Sequence, residues 1–300
     1  MRSLFPGLVL PTTVVGSYPV VTGRGLGAIL DPYRAAVRAA VEDQLAAGID
    51  IISDGQVRGD MVKIFSSAFP GIRGHEVIGP VSPAPGPITL ADTRYALTRA
   101  PRVKGIVTGP TTLSYALHIS TPAYRNREEL AMDLARALAR EAASLEKAGV
   151  TVLQVDEPVL SVGAAGMEAA REALVMMTRD IRIPVSLHIC GSLAGIIDDL
   201  IGMPADILDF EFARSPENLA LCRDFDFGGK RVGFGCVDSS RPEIETIRQI
   251  RERIEQGLAV FPPEQLIIDP DCGLRMLDRA SAAEKLLRMV RAVLEIRAGL

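Results

Sequence analysis

The sequence predicts an α/β fold, a (β/α)8 TIM barrel with an inserted β-hairpin excursion after the second strand. Three observations predict it. Eight short β-branched runs alternate with amphipathic stretches almost to the end of the chain. Strand-then-helix alternation implies parallel strands joined by right-handed crossovers. Polar and ionisable residues gather at the C-terminal ends of the runs, the face on which such barrels carry their chemistry. A doubly wound open sheet is the second choice.

The first run is TTVVGSYPV (12–20) and the second IDIISDG (49–55). Between them DPYRAAVRAAVEDQLAAG (31–48) repeats apolar residues at helical spacing. Its closing glycine stands where a helix C-terminus passes into a strand. The stretch 70–102 breaks the rhythm, being Pro/Gly-rich with alternating β character, and is the predicted excursion. VKGIVTGP (103–110) resumes the alternation, followed by the helical REELAMDLARALAREAASLEKAG (127–149). VTVLQVDEP (150–158) then precedes the helical GMEAAREALVMMTRD (166–180). The last four runs are IPVSLHICG (183–191), ADILDFEFA (205–213), KRVGFGCVD (230–238) and QLIIDPDCG (265–273). Helical patterns fill 241–258 and 280–299. With no repeat and no low-complexity tract, residues 1–300 are expected to form one domain.

Composition narrows the function classes. The chain is 48% hydrophobic and 23% charged, with 5% aromatics and no Trp, which suits a core of aliphatic strands wrapped by helices. Its formal charge of −4 and its dispersed arginines argue against a nucleic-acid partner. No apolar run reaches membrane-spanning length, and the first residues show no cleavable leader pattern, so a cytoplasmic protein is expected. The four cysteines, Cys190, Cys222, Cys236 and Cys272, are widely spaced and are expected as reduced thiols. His75 is expected at the surface of the excursion and His118 at a helix start.

SLHIC places His188 and Cys190 two residues apart in an extended run, so both side chains face one way. One strand can therefore offer an imidazole and a thiolate to one ion. Glu211 and Cys272 stand at the ends of other runs and would complete a tetrahedral set of the N, S and O donors that zinc favours. A buried cysteine beside a satisfied core histidine fits the same spacing, and the spacing alone does not separate the two. The charge of such a site has a chemical consequence. Two thiolates, one carboxylate and a neutral histidine leave a zinc site at about −1. That is a poor setting for activating water and a good one for holding a substrate thiolate that stays nucleophilic.

VVGSYP, SDGQVRGDMV, TGPTTL, LQVDEP, LHICG, FEFA and DPDCGL occur in one order over about residues 11–296. In this the chain resembles the catalytic barrel of cobalamin-independent methionine synthase. The resemblance implies a zinc site of His188, Cys190, Glu211 and Cys272. It implies that homocysteine is held around Gly16 and Ser17, with Asp156 of DEP on its amino group and Gln56 in a neighbouring loop. The large members of the family are about twice this length and carry a second, N-terminal barrel. They use a Trp against folate, and their seventh strand ends in Asp-x-His, the histidine serving proton movement. Here that stretch reads Asp238-Ser239-Ser240, so Asp238 and Ser240 are the candidates for any catalytic role there. Gln56 lies where the large members carry a Glu. These departures point to the short branch of archaea and anaerobes. The expected methyl donor is then methylcobalamin or a methylated corrinoid protein, with homocysteine as acceptor and methionine as product. The rivals are a methylcobamide:coenzyme M type of methyltransferase, whose sulfonate substrate needs a cation where Asp156 stands, and a zinc-binding protein without turnover.

Overall fold

The computed structural model describes residues 4–23 and 29–300. Its centre is a sheet of six parallel strands in chain order: β1 (Lys104–Thr108), β2 (Val152–Asp156), β3 (Val185–Ile189), β4 (Ile207–Glu211), β5 (Arg231–Val237) and β6 (Leu266–Pro270). Every position of all six is buried. That is the expected signature of parallel strands covered on both faces, and it explains their near-continuous apolar runs.

Two further segments join β6 back to β1. Thr12 bridges Ile268 in parallel, the Ile51 amide donates to the Thr12 carbonyl at 3.0 Å, and Ile52 bridges Val103 in parallel. The hydrogen-bonded circuit therefore closes on itself and leaves neither β1 nor β6 as a free edge. The first two predicted runs contribute to it by single bridges rather than ladders. One cause is visible at Thr12, whose amide and hydroxyl both donate to the Asp50 carboxylate at 2.9 Å. A side chain has taken the place of the next rung.

The predicted helices form around this circuit, at Arg34–Ala47, Arg127–Ala148, Met167–Thr178, Ile247–Leu258 and Arg279–Arg297. The first two end on Gly48 and Gly149, with φ of +83° and +99°, a conformation cheap only without a Cβ. Asn126, Thr246 and Asp278 cap the starts of three of them through side-chain oxygens. In Arg127–Ala148, Leu130, Leu134, Leu138 and Leu145 point into the core. Each buried leucine contributes about 1.5–3 kcal/mol. The helices Met61–Ser66, Leu90–Leu97, Pro110–Ala116 and Ile197–Ile201 are too short to show a period and were not legible in the sequence.

The excursion lies between the second barrel segment and β1. Ile72–Arg73 and Glu76–Val77 pair antiparallel, and Glu76–Val77 pairs in parallel with His118–Ile119. His118 thus sits in a short strand and not at a helix start. The remainder of 70–102 is loop apart from the helix Leu90–Leu97. It is tied down by polar contacts rather than by a ladder. The Glu141 carboxylate accepts from the Ile88 and Thr89 amides at 2.7 and 2.8 Å, and the Tyr124 hydroxyl accepts from the Val81 amide at 2.6 Å. Among the described residues no helix is long and apolar enough to cross a membrane.

Candidate active site

His188 is the fourth residue of β3 and Cys190 follows the strand's end, so the period of two turns both toward the barrel axis. Cys272 follows β6, three strands away in the sheet. Closure of the circuit removes that separation. Ligand atoms of His188, Cys190 and Cys272 all lie within 4.8 Å of one another. The loop carrying Cys272 is held from two sides. The Asp271 carboxylate accepts from the amides of Phe212, Ala213 and Arg214 at 3.0, 2.9 and 2.7 Å, tying this loop to the one after β4. On the other side the Leu274 amide donates to the Ser17 carbonyl at 2.7 Å, and a Cβ on Gly273 would fall 1.9 Å from Ser17 Oγ. Only glycine allows that approach.

The surroundings of His188 call for a cation. Its ring is 2% exposed, and neither nitrogen has a hydrogen-bond partner. Burial disfavours its charged form, yet the Asp209 carboxylate and the contact with Cys272 together outweigh this and lift it well above the usual imidazole range. Asp209 stands opposite His188 on β4, and its Oδ2 lies 3.3 Å from His188 Nδ1, close enough for charge attraction though not aligned as a hydrogen bond. Next to it, burial and the Asp209 charge hold Asp269 well above the carboxylate range. Contact with Cys272 lowers the Cys190 thiol, while the same contact and burial push Cys272 up. An imidazole with unused nitrogens, two reduced thiols and a carboxylate behind the imidazole fit a divalent metal that prefers nitrogen and sulfur.

Glu211, the fourth predicted ligand, ends β4 close to this cluster but outside the group of mutually adjacent ligand atoms. Its Oε1 accepts from the Ser215 hydroxyl, and its charge acts on Cys190. Asn218, fully buried, ties the two loops together. Its amide group donates to the carbonyls of Gly191 and Glu211, both at 2.9 Å, and its oxygen accepts from the Leu193 amide at 3.0 Å.

The cluster forms the floor of a cavity of about 330 Å³, with Ser17, Gln56, Asp156, Met61, Arg275 and Met276 among its walls. Burial pushes Asp156 up to about 6, while His188, Gln154 and Lys104 pull the other way. Its neighbour Glu157 points elsewhere and caps the helix Pro110–Ala116, accepting from the Thr111 and Thr112 amides at 2.9 and 2.6 Å. The DEP motif thus serves the cavity with one carboxylate and the frame with the next. Gln56 has φ +42°, and its Nε2 is buried without a partner, which is backbone strain of a kind that collects at binding sites. Asp54 holds the turn by accepting from the Gln56 amide at 2.9 Å, and Arg275 donates to the Gln56 and Gly59 carbonyls at 3.1 and 2.7 Å. Gly16, next to Ser17, has φ +150°, and a Cβ there would meet Ile106 Cδ1 at 2.4 Å, so a side chain would strain the backbone and displace Ile106.

Asp238 and Ser240 do not line this cavity. The Asp238 carboxylate accepts from the Ser240 amide and hydroxyl at 2.8 and 2.6 Å, closing a turn on itself. Lys285 and Glu245 hold that turn to the barrel. The residues that sequence reasoning missed are Asp209, Gln154, Lys104 and Asn218. The first three lay within predicted strands, and their identity was the only signal available, since ionisable and amide side chains are rare inside aliphatic strands.

The family described as the catalytic domain of cobalamin-independent synthases matches residues 10–295. A methionine synthase of Methanothermobacter thermautotrophicus is 44% identical over 94% of this chain and 98% of its own length. One of Methanocaldococcus jannaschii is 39% identical over 94% of this chain and 97% of its own. In three dimensions the chain resembles a B12-independent methionine synthase from Shewanella sp. W3-18-1 solved in complex with selenomethionine. The TM-score is 0.85 at 24% identity, covering 98% of this chain and all of that one.

Proposed function

Since the chain belongs to the family of cobalamin-independent synthase catalytic domains, we propose that it methylates the thiol of homocysteine to give methionine. In this reading the closed circuit of strands is a (β/α)8 barrel with an inserted excursion, and zinc is held by His188, Cys190, Cys272 and Glu211. The observation that carries the proposal is the meeting of one imidazole and two thiols within 4.8 Å on the floor of a cavity that also contains Asp156.

Zinc bound by these donors supplies a Lewis acid that takes up the substrate thiol and lowers its pKa while leaving the sulfur nucleophilic. The rest is the work of the chain. Asp209, 3.3 Å from His188 Nδ1, would steady the imidazole as a holder of the metal. Glu211, which accepts from the Ser215 hydroxyl, would be the fourth holder of the metal, on a loop that Asp271 and Asn218 hold in place. Asp156 receives the substrate ammonium, a charge-assisted contact that gains strength from burial. Ser17 and the free amide of Gln56 receive the carboxylate. Held at both ends, the substrate directs its sulfur to the floor and its line of attack to the cavity mouth.

The donor in this reading is methylcobalamin or a methylated corrinoid protein. Sulfur attacks the methyl carbon in line, the carbon–cobalt bond breaks, and cobalt keeps the electron pair. Such a leaving group needs no proton. Two features support this donor: the chain has no Trp, and Ser240 occupies the position of the family's proton-moving histidine, away from the cavity wall. A carboxylate at position 156 also counts against a sulfonate thiol as acceptor. The test is an assay of the zinc-loaded protein with homocysteine and either methylcobalamin or methyl-folate. Methionine from methylcobalamin supports the proposal. Methionine from methyl-folate alone reverses the donor, and none from either donor removes the proposed activity.

A further inference from the structure

The interior of a barrel of this kind is ordinarily filled by branched apolar side chains. Here a polar column rises through it to the cavity. At its base is Lys104 of β1, 4% exposed. Its ammonium donates to the Val14 carbonyl at 2.9 Å and to Gln154 Oε1 at 2.6 Å. Gln154 of β2 is fully buried. Its Nε2 donates to the Val15 carbonyl at 2.6 Å and to Asp156 Oδ1 at 2.7 Å. Gln154 and Asp156 are two apart on one strand, so the pleat places one above the other.

The direction of the Gln154 amide follows from its partners. An ammonium cannot accept a hydrogen bond, so the carbonyl end must face Lys104 and the two N–H groups must face Val15 and Asp156. This fixes what Asp156 can do. One carboxylate oxygen is occupied by a donor from below, and the other is left for the cavity. A buried lysine and a buried amide are costly side chains to keep in a barrel core. Apolar residues of similar volume would fill the space, but they would leave Asp156 free to turn.

We propose that Gln154, itself locked by Lys104, is a positioning residue for substrate recognition, holding the Asp156 carboxylate in the orientation that meets the ammonium of an α-amino acid thiol. The proposal rests on the reading that Asp156 binds the amino group. It makes the column a determinant of specificity for the amino group and separates that role from the metal site.

The test compares homocysteine with 4-mercaptobutanoate, the same thiol acid without the amino group, by calorimetric titration of the zinc-loaded full chain. The wild type is expected to bind homocysteine more tightly, and Asp156→Asn to lose that preference. Gln154→Met is expected to weaken homocysteine about tenfold or more, the scale of one hydrogen bond to a charged group. Its zinc content and its affinity for 4-mercaptobutanoate should stay near those of the wild type. Gln154→Met added to Asp156→Asn should cost nothing further, because one acts through the other. Equal weakening of both thiols, or additive losses in the double variant, would overturn the proposal. A wild type indifferent to the amino group would overturn the Asp156 reading first, and that result is distinct because it appears before any substitution at 154. If Gln154→Met does not fold, Gln154→Asn, which keeps the amide but falls one methylene short of Asp156, is judged by the same criteria.

Discussion

Replacing Gly233 by alanine tests whether the proposed metal site depends on a residue outside its ligand set. Gly233 lies opposite Asp209 in the β4–β5 ladder. A Cβ there would fall 2.7 Å from both Asp209 Cβ and Cγ and 2.8 Å from Oδ1. Carbon atoms in contact settle at about 3.5–4.0 Å, so Asp209 must give by roughly an ångström or the strands must part. Overpacking of this kind costs about 1–3 kcal/mol of stability. Asp209 Oδ2 is 3.3 Å from His188 Nδ1 and both residues are buried, so a shift of Asp209 disturbs the imidazole. Displacing a partner one contact removed from a metal usually weakens binding about 10–100-fold. Zinc affinity is measured by competition with a chromogenic chelator, and stability of the metal-free form by urea unfolding. Gly233→Ala is expected to lose on both, and Asp209→Asn to lose affinity without the steric strain. A Gly233→Ala protein that unfolds more easily yet binds zinc as tightly as the wild type would refute the claim that Asp209 governs His188.

Cys190→Ser and Cys272→Ser should each lose most of the bound zinc and, where the parent is active, more than about 100-fold of activity, with circular dichroism unchanged. Leu134→Ala, in the fully buried stripe of Arg127–Ala148, should lower unfolding free energy by about 2–5 kcal/mol without altering zinc content. The pH dependence of the metal-free protein should run against ordinary acid unfolding. Burial pushes Asp54 and Asp156 from 3.8 to about 6, Glu157 from 4.5 to about 7 and Asp271 from 3.8 to about 7. Raised carboxyl groups make the folded state the stronger proton binder. Their contribution is therefore complete below about pH 4 and falls away as pH rises through 6 to 7. Thermal melting of the metal-free chain should decline between about pH 4 and 7, and a flat or rising profile would contradict the burial of these groups.

Pattern was enough to read the alternation of strands and helices, because a hydrophobic period is a local property that each segment carries by itself. It was enough for the pairing of His188 with Cys190, since two residues apart in a strand means one side. Position at the ends of other runs offered Cys272 and Glu211, and the resemblance gave Asp156 its role; Cys272 and Asp156 line the cavity, while Glu211 accepts a hydrogen bond from Ser215. Pattern could not supply the partners that hold these groups. Asp209 meets His188 only because β3 and β4 align in one register, and Gln154 meets Lys104 only because the side chains of β1 and β2 turn into the same interior. The short helices and the pinned excursion escaped for a related reason, since caps and long-range carboxylate contacts decide them rather than a repeating period. Whether Asp238 and Ser240 line the cavity was likewise beyond reach of adjacency, and neither is among its lining residues. Sequence alone determined which atoms were available and which face of each strand would carry them. Tertiary structure decided which of them meet, because closing a ring of strands brings β3 and β6 to one point and so joins residues some eighty positions apart.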